Sequence, residues 1–155
     1  MSRFKKKKGG GTPAISTASL PDIVFMLLFF FMVTTVMRET TLLVENKLPQ
    51  ASEIKKIEDK SLCSYIYVGA PVAGMKSKFG TEPRIQLNDA FRLSSDVQEF
   101  VAAKRESTSE EKIPQLITCI KADVDAKMGL ISDIKQELRK AKAFKINYAT
   151  FERVE

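Results

Sequence analysis

An apolar run of 24 residues with a single charged side chain constrains this chain more than any other feature. It extends from Ala14 to Met37, and its central part, Ile23 to Val33, reads IVFMLLFFFMV without interruption. As an α-helix, a run of this length measures roughly 36 Å, which is enough to cross the hydrocarbon core of a bilayer with some tilt. The run therefore predicts a transmembrane helix over residues 14–37, with Arg38 and Glu39 just beyond its far end.

The distribution of charge predicts the orientation of this helix. The net charge is +6, of which Arg3 and Lys5 to Lys8 supply +5, whereas the rest of the chain holds 20 basic and 19 acidic residues. A basic cluster before an apolar segment is typical of a cytoplasmic N-terminus and can rest on anionic headgroups. We therefore expect a single-pass membrane protein with a basic cytoplasmic tail over residues 1–13 and its C-terminal part outside. In a bacterium with two membranes, the helix would lie in the inner membrane and the C-terminal part in the periplasm. A solvated, disordered end is the alternative for the tail, and no nucleic-acid partner is expected.

The apolar run has two alternative interpretations, a cleavable signal peptide and a buried core helix. Each explains fewer of its features than a membrane anchor does. A signal peptide also has a basic start and an apolar middle, but the residues after the run, TTVMRETT, lack a small-x-small cleavage site. A buried core helix accounts neither for the apolarity all round the helix nor for the lysines before it. An uncleaved anchor accounts for both features.

Asp22 is the residue of this run whose transfer into a membrane costs free energy. An aspartate at the centre of a membrane helix costs about 2.5–3.5 kcal/mol, and acidic groups found there usually mark ion pathways. Pro21 lacks a backbone N–H, and Thr17 and Ser19 add hydroxyls, so these three residues are candidate supports of an ion site around Asp22. One helix cannot form a channel, so the hypothesis requires a partner with several membrane spans. The alternative is a carboxylate that reaches the cytoplasmic headgroups or pairs with a lysine of the tail.

The composition argues against an enzyme and leaves only catalysis by carboxylates alone open. The chain has no His and only two Cys, Cys63 and Cys119, so it has no imidazole base, no Ser-His or Cys-His pair and no His zinc ligand. The run Gly9 to Gly11 follows lysines and not a strand, which excludes a phosphate-binding loop there. We expect no catalytic residues, no metal site and no cofactor. The two cysteines, both in predicted strands, are either a disulfide or two buried free thiols.

The remainder of the chain predicts a linker followed by a small domain. Residues 38–60 are assigned to the periplasmic linker. Within it, Leu42 to Val44 and Leu48 either form a short strand that pairs with a partner or packs on the domain, or belong to an extended linker. Residues 61–155 predict an α+β domain of order β-β-α-β-α-β, with helices on one face of a sheet. The expected strands are 61–68, 84–87, 115–121 and 144–151, the expected helices are 95–104 and 127–143, and the expected loops are 69–83 and 106–114.

The helix starts and their buried faces are also predicted. Ser95 and Gln98 have the spacing of a capping box, and Asp125 is placed to cap the second helix. Asp123 is assigned to the turn before that helix rather than to a metal. Apolar residues at helical spacing form the expected core stripes, which are Val97, Phe100 and Val101 in the first helix and Met128, Ile131, Ile134, Leu138 and Ala141 in the second.

At the level of motifs, the chain resembles the ExbD/TolR family of proton-driven membrane proteins. The resemblance rests on the basic stub, then ISTASLPDIVFMLLFFFMVTT, then LLVENKLP with its Leu48-Pro49 linker motif, and on ITCIKADVDAKMGLISDIKQELRKAKAFKINYAT near the end. The variant is most similar to those of Bacteroidetes-type bacteria. It departs from the family in the spacing from Val44 to Leu48-Pro49 and in the proline directly before the acid. Residues 69–83 are not covered by the resemblance.

The resemblance implies a molecular motor. Asp22 would be the proton-carrying group of a small subunit, and a pentameric multi-span protein of the ExbB/TolQ type would surround a homodimer of its helices. Such a motor uses the proton motive force to energise a TonB-like protein and thereby TonB-dependent outer-membrane transport. A TolR-like subunit for envelope integrity with possible peptidoglycan contact, and a passive single-pass anchor for a periplasmic binding module, are the alternatives.

Overall fold

The computed structural model describes residues 9–10, 17, 19–34 and 40–153. The predictions for most of the basic tail and for both ends of the apolar run lie outside these residues. The chain divides into two units, Met1–Glu39 and Thr40–Glu155, which are described separately.

The first unit contains one helix, α1, which spans Ser19–Thr34. Its interior has no glycine, and its only proline lies in the first turn, where it breaks no helical bond. The hydroxyl of Thr34 donates to the carbonyl oxygen of Phe30 at 2.9 Å in the last turn. None of the residues of α1 is buried. Among the helices in the described residues, none is both long enough and apolar enough to cross a membrane.

The second unit is built on a mixed five-stranded sheet with the strand order β4-β3-β2-β5-β6. Strands β2, β5 and β6 are parallel to one another, and β3 and β4 are antiparallel to their neighbours. A separate pair joins the start and the end of this unit, because β1 and β7 pair in parallel. The strands are β1 (Gln50–Ala51), β2 (Cys63–Gly69), β3 (Arg84–Leu87), β4 (Ala90–Arg92), β5 (Ile117–Ala122), β6 (Ile146–Tyr148) and β7 (Phe151–Glu152).

Three α-helices belong to this unit: α2 (Lys76–Phe79), α3 (Val97–Glu106) and α4 (Met128–Lys140). The core forms where α3 and α4 cover one face of the sheet. Alternate residues of β2, β3 and β5 point to that face, as the period of two in a strand requires. The core comprises Ile66, Val68, Ile85, Leu87 and Ile120 from the sheet and Val97, Val101, Ile134 and Leu138 from the helices. Short 3₁₀ segments at Lys60–Leu62, Ser94–Asp96 and Glu110–Gln115 complete the connections.

The small mixed α/β domain predicted from the sequence is confirmed, and so are its first three strands and both longer helices. The structure adds β1 and β4, places α2 inside the predicted loop 69–83, and places a 3₁₀ segment inside the predicted loop 106–114. The predicted strand 144–151 is divided into β6 and β7. The division follows because Ala149 donates to Ile120 at 3.0 Å, whereas Phe151 donates to Pro49 at 2.9 Å and so joins a different strand pair.

Three local predictions about the helices are wrong. The side-chain amide of Gln98 donates to the carboxylate of Glu137 instead of capping its own helix, and Asp96 Oδ2 accepts from the backbone N–H of Leu93 at 3.2 Å. The N-cap of α4 is Lys127, without a side-chain cap, so Asp125 does not cap it. Met128 is 68% exposed, because it lies at the first position of α4, beyond the edge of the core.

Candidate functional site: the acidic helix and the docked linker

Asp22 lies in the first turn of α1 and is the only ionisable residue of that helix. The large apolar side chains of α1 are all half or more exposed, from 50% at Leu27 to 74% at Phe25. Met26 and Phe29 follow Asp22 at four and seven residues, so they lie on its side of the helix. The carboxylate therefore sits at one end of a continuous apolar helix face.

The three predicted supporting residues surround the start of this helix. Thr17 lies in a turn before the helix, Ser19 is the first helical residue, and Pro21 lies in the first turn. The first backbone N–H groups of a helix have no intrahelical partner, so Pro21 removes no bond from the helix interior. Ser19 lies one turn before Asp22, on the same side of the helix. Their role in an ion site stays a prediction.

In the second unit, a strap made of residues 41–47 is fixed to the sheet by Gln86 of β3, a residue that the sequence patterns did not single out. Gln86 is fully buried, and its amide oxygen accepts from the N–H of Leu43 at 2.8 Å. Its amide nitrogen donates to the carbonyl oxygens of Thr41 at 2.6 Å and of Asn88 at 2.8 Å. A glutamine between two apolar core residues, Ile85 and Leu87, is the sequence feature that could have identified it.

Further along, backbone groups hold the strap at two more points. The N–H of Glu45 donates to Ala70 at 2.7 Å, and Val72 donates back to Leu43 at 2.9 Å. Between these bonds Val44 is 2% exposed and pairs with Pro71. A Cβ added at Gly69 would lie 2.2 Å from the carbonyl oxygen of Glu45, so the strap passes directly over this glycine.

The far end of the strap is bound at the turn after β5. Asp123 Oδ1 accepts from the N–H of Lys47 at 2.7 Å, and Val124 donates to the carbonyl oxygen of Lys47 at 2.9 Å. Asp123 thus lies in a turn, as predicted, and its carboxylate accepts a hydrogen bond from the linker. At the near end, Thr41 donates to Asp89 Oδ1 at 3.0 Å. The structure shows that this segment packs on the domain, as one of the expectations had it, but through an isolated bridge at Val44 rather than through a strand.

The Leu48-Pro49 motif lies where the strap passes into β1. Leu48 is half-buried, and the carbonyl oxygen of Pro49 accepts from Phe151 at 2.9 Å. The pairing of Gln50 with Phe151 continues from that bond. The motif therefore fixes the place where the linker joins the last strand, and the following residues 52–56 are exposed.

On the sheet face opposite the helices lie the two cysteines and an aromatic pair. Cys63 and Cys119 are both buried and both free thiols. Burial, and then the hydrogen bond with Cys63, raise the pKa of Cys119 to about 12. A thiol in this state is a poor nucleophile. Nearby, the ammonium of Lys121 lies 4.6 Å from the ring centroid of Tyr65 and 5.4 Å from that of Tyr67, which is a cation–π arrangement.

Three features of the chain can be compared with those of known families. They are the carboxylate at the start of an apolar helix, the linker motif and the mixed α/β domain that follows. One family model, described as Biopolymer transport protein ExbD/TolR, matches residues 8–153. The chain belongs to the ExbD/TolR family. The match includes Asp22, the strap and the whole sheet, so the resemblance seen in the sequence motifs is confirmed and extends over residues 69–83. Searches of curated proteins and of solved structures each found no match. Membership in this family assigns the chain to biopolymer transport.

Proposed function

We propose that this chain is the small subunit of an ExbB-ExbD type motor, which is driven by the proton motive force and energises TonB-dependent outer-membrane transport. In this proposal Asp22 carries the proton. The observation that supports it most directly is the single carboxylate at one end of a helix whose side chains from Ile23 to Val33 are apolar and exposed all round. Exposed apolar surface of this extent needs cover from lipid or from another protein.

The anchoring of the proposed subunit rests on the sequence and on the family. Residues 14–37 hold one charge, and the lysines before them favour a cytoplasmic N-terminus. The subunit would be a single-pass protein of the inner membrane with its mixed α/β domain in the periplasm. Its proposed partners are a second copy of itself, an ExbB/TolQ-like multi-span protein and a TonB-like protein. We propose no enzymatic activity for it.

The proposed mechanism is a change in the charge of Asp22 coupled to a change in its surroundings. The neutral acid tolerates an apolar wall, whereas the ionised carboxylate requires polar groups, which the multi-span partner must supply. One elementary charge that crosses 100 mV releases about 2.3 kcal/mol, so useful work requires several protons. Repeated protonation and release would then turn or shift the helix within the partner.

Asp22→Asn and Asp22→Glu test this role directly. The asparagine variant mimics the neutral acid, so we expect it to abolish growth that depends on energised outer-membrane transport while it still co-purifies with the multi-span partner. The glutamate variant keeps a titratable group, and we expect it to retain part of the activity. Asp133→Asn makes the same change on the exposed side of α4 and serves as the matched control. Full activity of Asp22→Asn would falsify the ion-carrying role.

A plain apolar helix in place of residues 14–37 distinguishes the motor from a passive anchor. An anchor keeps its function after this exchange, whereas the motor loses it. A peptidoglycan pull-down with the full-length chain distinguishes the TolR-like role, since retention on peptidoglycan together with activity in the absence of a TonB-like protein would favour envelope maintenance.

A further inference from the structure

A cavity of about 330 Å³ lies beside the core of the second unit, on the face of the sheet that carries the helices. It is enclosed by α3, by the 3₁₀ segment Glu110–Gln115 and by the loop between α4 and β6. Its floor is formed by Ser64 of β2 and Thr118 of β5, which are direct partners in the parallel strand pair. The next residue pair towards the core is Ile66 and Ile120, so the hydroxyls mark the place where the core stops.

These two floor residues are largely buried, but their hydroxyls are not sealed off from the cavity. Ser64 is 8% and Thr118 5% exposed. Among the described residues, only Asn46 Oδ1 is a buried side-chain oxygen or nitrogen without a hydrogen-bond partner, so the two hydroxyls open onto the cavity, where water or a ligand can accept from them. Two adjacent hydroxyls at the floor of an open cavity can therefore both donate to one ligand that accepts hydrogen bonds.

The charged side chains that line the cavity are all basic. Four basic residues contribute to its lining, Lys104, Arg105, Lys142 and Lys145, and none of its lining residues in the described part of the chain is acidic. Lys142 has a φ of 56°, in the left-handed region where glycine usually ends a helix. A lysine in this conformation is uncommon, and here it places a cation directly after α4. The cavity thus attracts anions, and its basic side chains are long enough to reach a bound group.

The walls of the cavity are largely apolar. Val101 of α3, Ile113, Pro114 and Phe144 line it, and Phe144 is 73% exposed at its rim. Pockets of this size that combine apolar walls with a few convergent polar groups are typical of small-ligand sites. The ligand therefore needs an apolar body as well as an anionic group.

We propose that this cavity binds the carboxylate of an apolar organic acid. The hydroxyls of Ser64 and Thr118 donate to the carboxylate oxygens, the basic residues neutralise the charge, and the apolar body lies against Ile113 and Phe144. A free small acid and the C-terminal carboxylate of a peptide share this chemistry. The site is separate from Asp22 and does not depend on the proposed motor function.

Binding can be measured on the full-length chain in a neutral maltoside detergent with isoleucine methyl groups labelled for NMR. The first probe is 4-phenylbutyrate, and its uncharged matched control is 4-phenylbutyramide. We expect the acid to shift the methyl resonance of Ile113 in a saturable way and to leave that of Ile85, in β3, unchanged. We expect the amide to bind at least about tenfold more weakly, because it lacks the charge. Equal effects of the acid and the amide would overturn the proposal.

Substitutions then test the lining. Ser64→Ala combined with Thr118→Val removes both donors at nearly constant volume, and we expect it to weaken binding of the acid by about tenfold or more. Lys142→Gln combined with Lys145→Gln changes exposed residues only, so it tests the charge even if the first variant does not fold. Ser132→Ala and Lys135→Gln, on the exposed side of α4, are the matched controls. Unchanged affinity in the lysine pair would refute the proposed recognition of an anion.

The source of the carboxylate is identified with a second pair of probes, the tetrapeptide acetyl-Ala-Ala-Leu-Phe with a free and with an amidated C-terminus. Tighter binding of the free peptide than of 4-phenylbutyrate supports a chain end as the ligand. Tighter binding of 4-phenylbutyrate supports a small acid. Absence of binding by both acids would refute the site.

Discussion

Gln86→Leu is the most informative perturbation of the docked linker. The backbone of the strap makes seven hydrogen bonds with the body of the domain, and two of them end on the Gln86 amide. Leucine has a similar size but no polar group, so the N–H of Leu43 and the carbonyl oxygen of Thr41 lose their partner. At about 1 kcal/mol for each bond, the free energy of opening the strap falls by about 2 kcal/mol. Since about 1.4 kcal/mol corresponds to a factor of ten, local exchange should accelerate roughly 30-fold.

Hydrogen–deuterium exchange on the full-length chain checks this magnitude. Fragments that contain Leu43, Glu45 and Lys47 should lose protection together, because the strap opens as one segment. Fragments from α4 should keep theirs. Gln136→Leu, the same substitution at an exposed glutamine, is the matched control. If the strap amides of the Gln86 variant exchange at the original rate, Gln86 does not hold the linker, and the reasoning from buried hydrogen bonds is refuted.

Three further predictions concern the same domain. Gly69→Ala should displace the strap and speed its exchange, because the new methyl group meets the carbonyl oxygen of Glu45, whereas Gly74→Ala, with open space around it, should not. Ile134→Ala should lower the free energy of unfolding in urea by about 2–5 kcal/mol, since Ile134 is fully buried, and a loss below about 1 kcal/mol would contradict the described core. Because the pKa of Cys119 is raised from 9.0 to about 12, the unfolded chain loses this proton first, so stability is full below pH 9 and falls between pH 9 and 12. Cys119→Val should reduce that loss, as urea midpoints at about pH 8 and pH 10.5 would show; an identical pH dependence would count against the raised pKa.

Regular patterns in the sequence predicted the elements that depend on one face being apolar. The alternation over residues 61–68 correctly predicted a strand, and the helical spacing of Ile131, Ile134 and Leu138 correctly identified core positions. Caps were predicted less well, because they depend on local geometry that residue types alone do not determine. Gln98 is of a residue type that is common in capping boxes, but its side chain donates to Glu137, which lies on another helix.

The docked linker was the part that sequence reasoning resolved least. Its bonds join residues far apart in the chain, such as Leu43 with Gln86 and Lys47 with Asp123, and no local pattern encodes such pairs. The short strands β1 and β7 have two residues each, which is too short for an alternation to be visible. By contrast, Asp22 could be singled out from the sequence alone, since a lone charge in an apolar run needs no knowledge of the fold.

The position of the strap also has a mechanical consequence. A pull transmitted along the chain from Thr40 meets the strap and β1 before it meets the five-stranded sheet. If those contacts break while the five-stranded sheet stays folded, residues 40–51 are released. At about 3.4 Å per extended residue, they add roughly 40 Å of length. Release of these residues would thus lengthen the chain by that amount without unfolding the core, and single-molecule force measurements would register the release as one discrete step in extension.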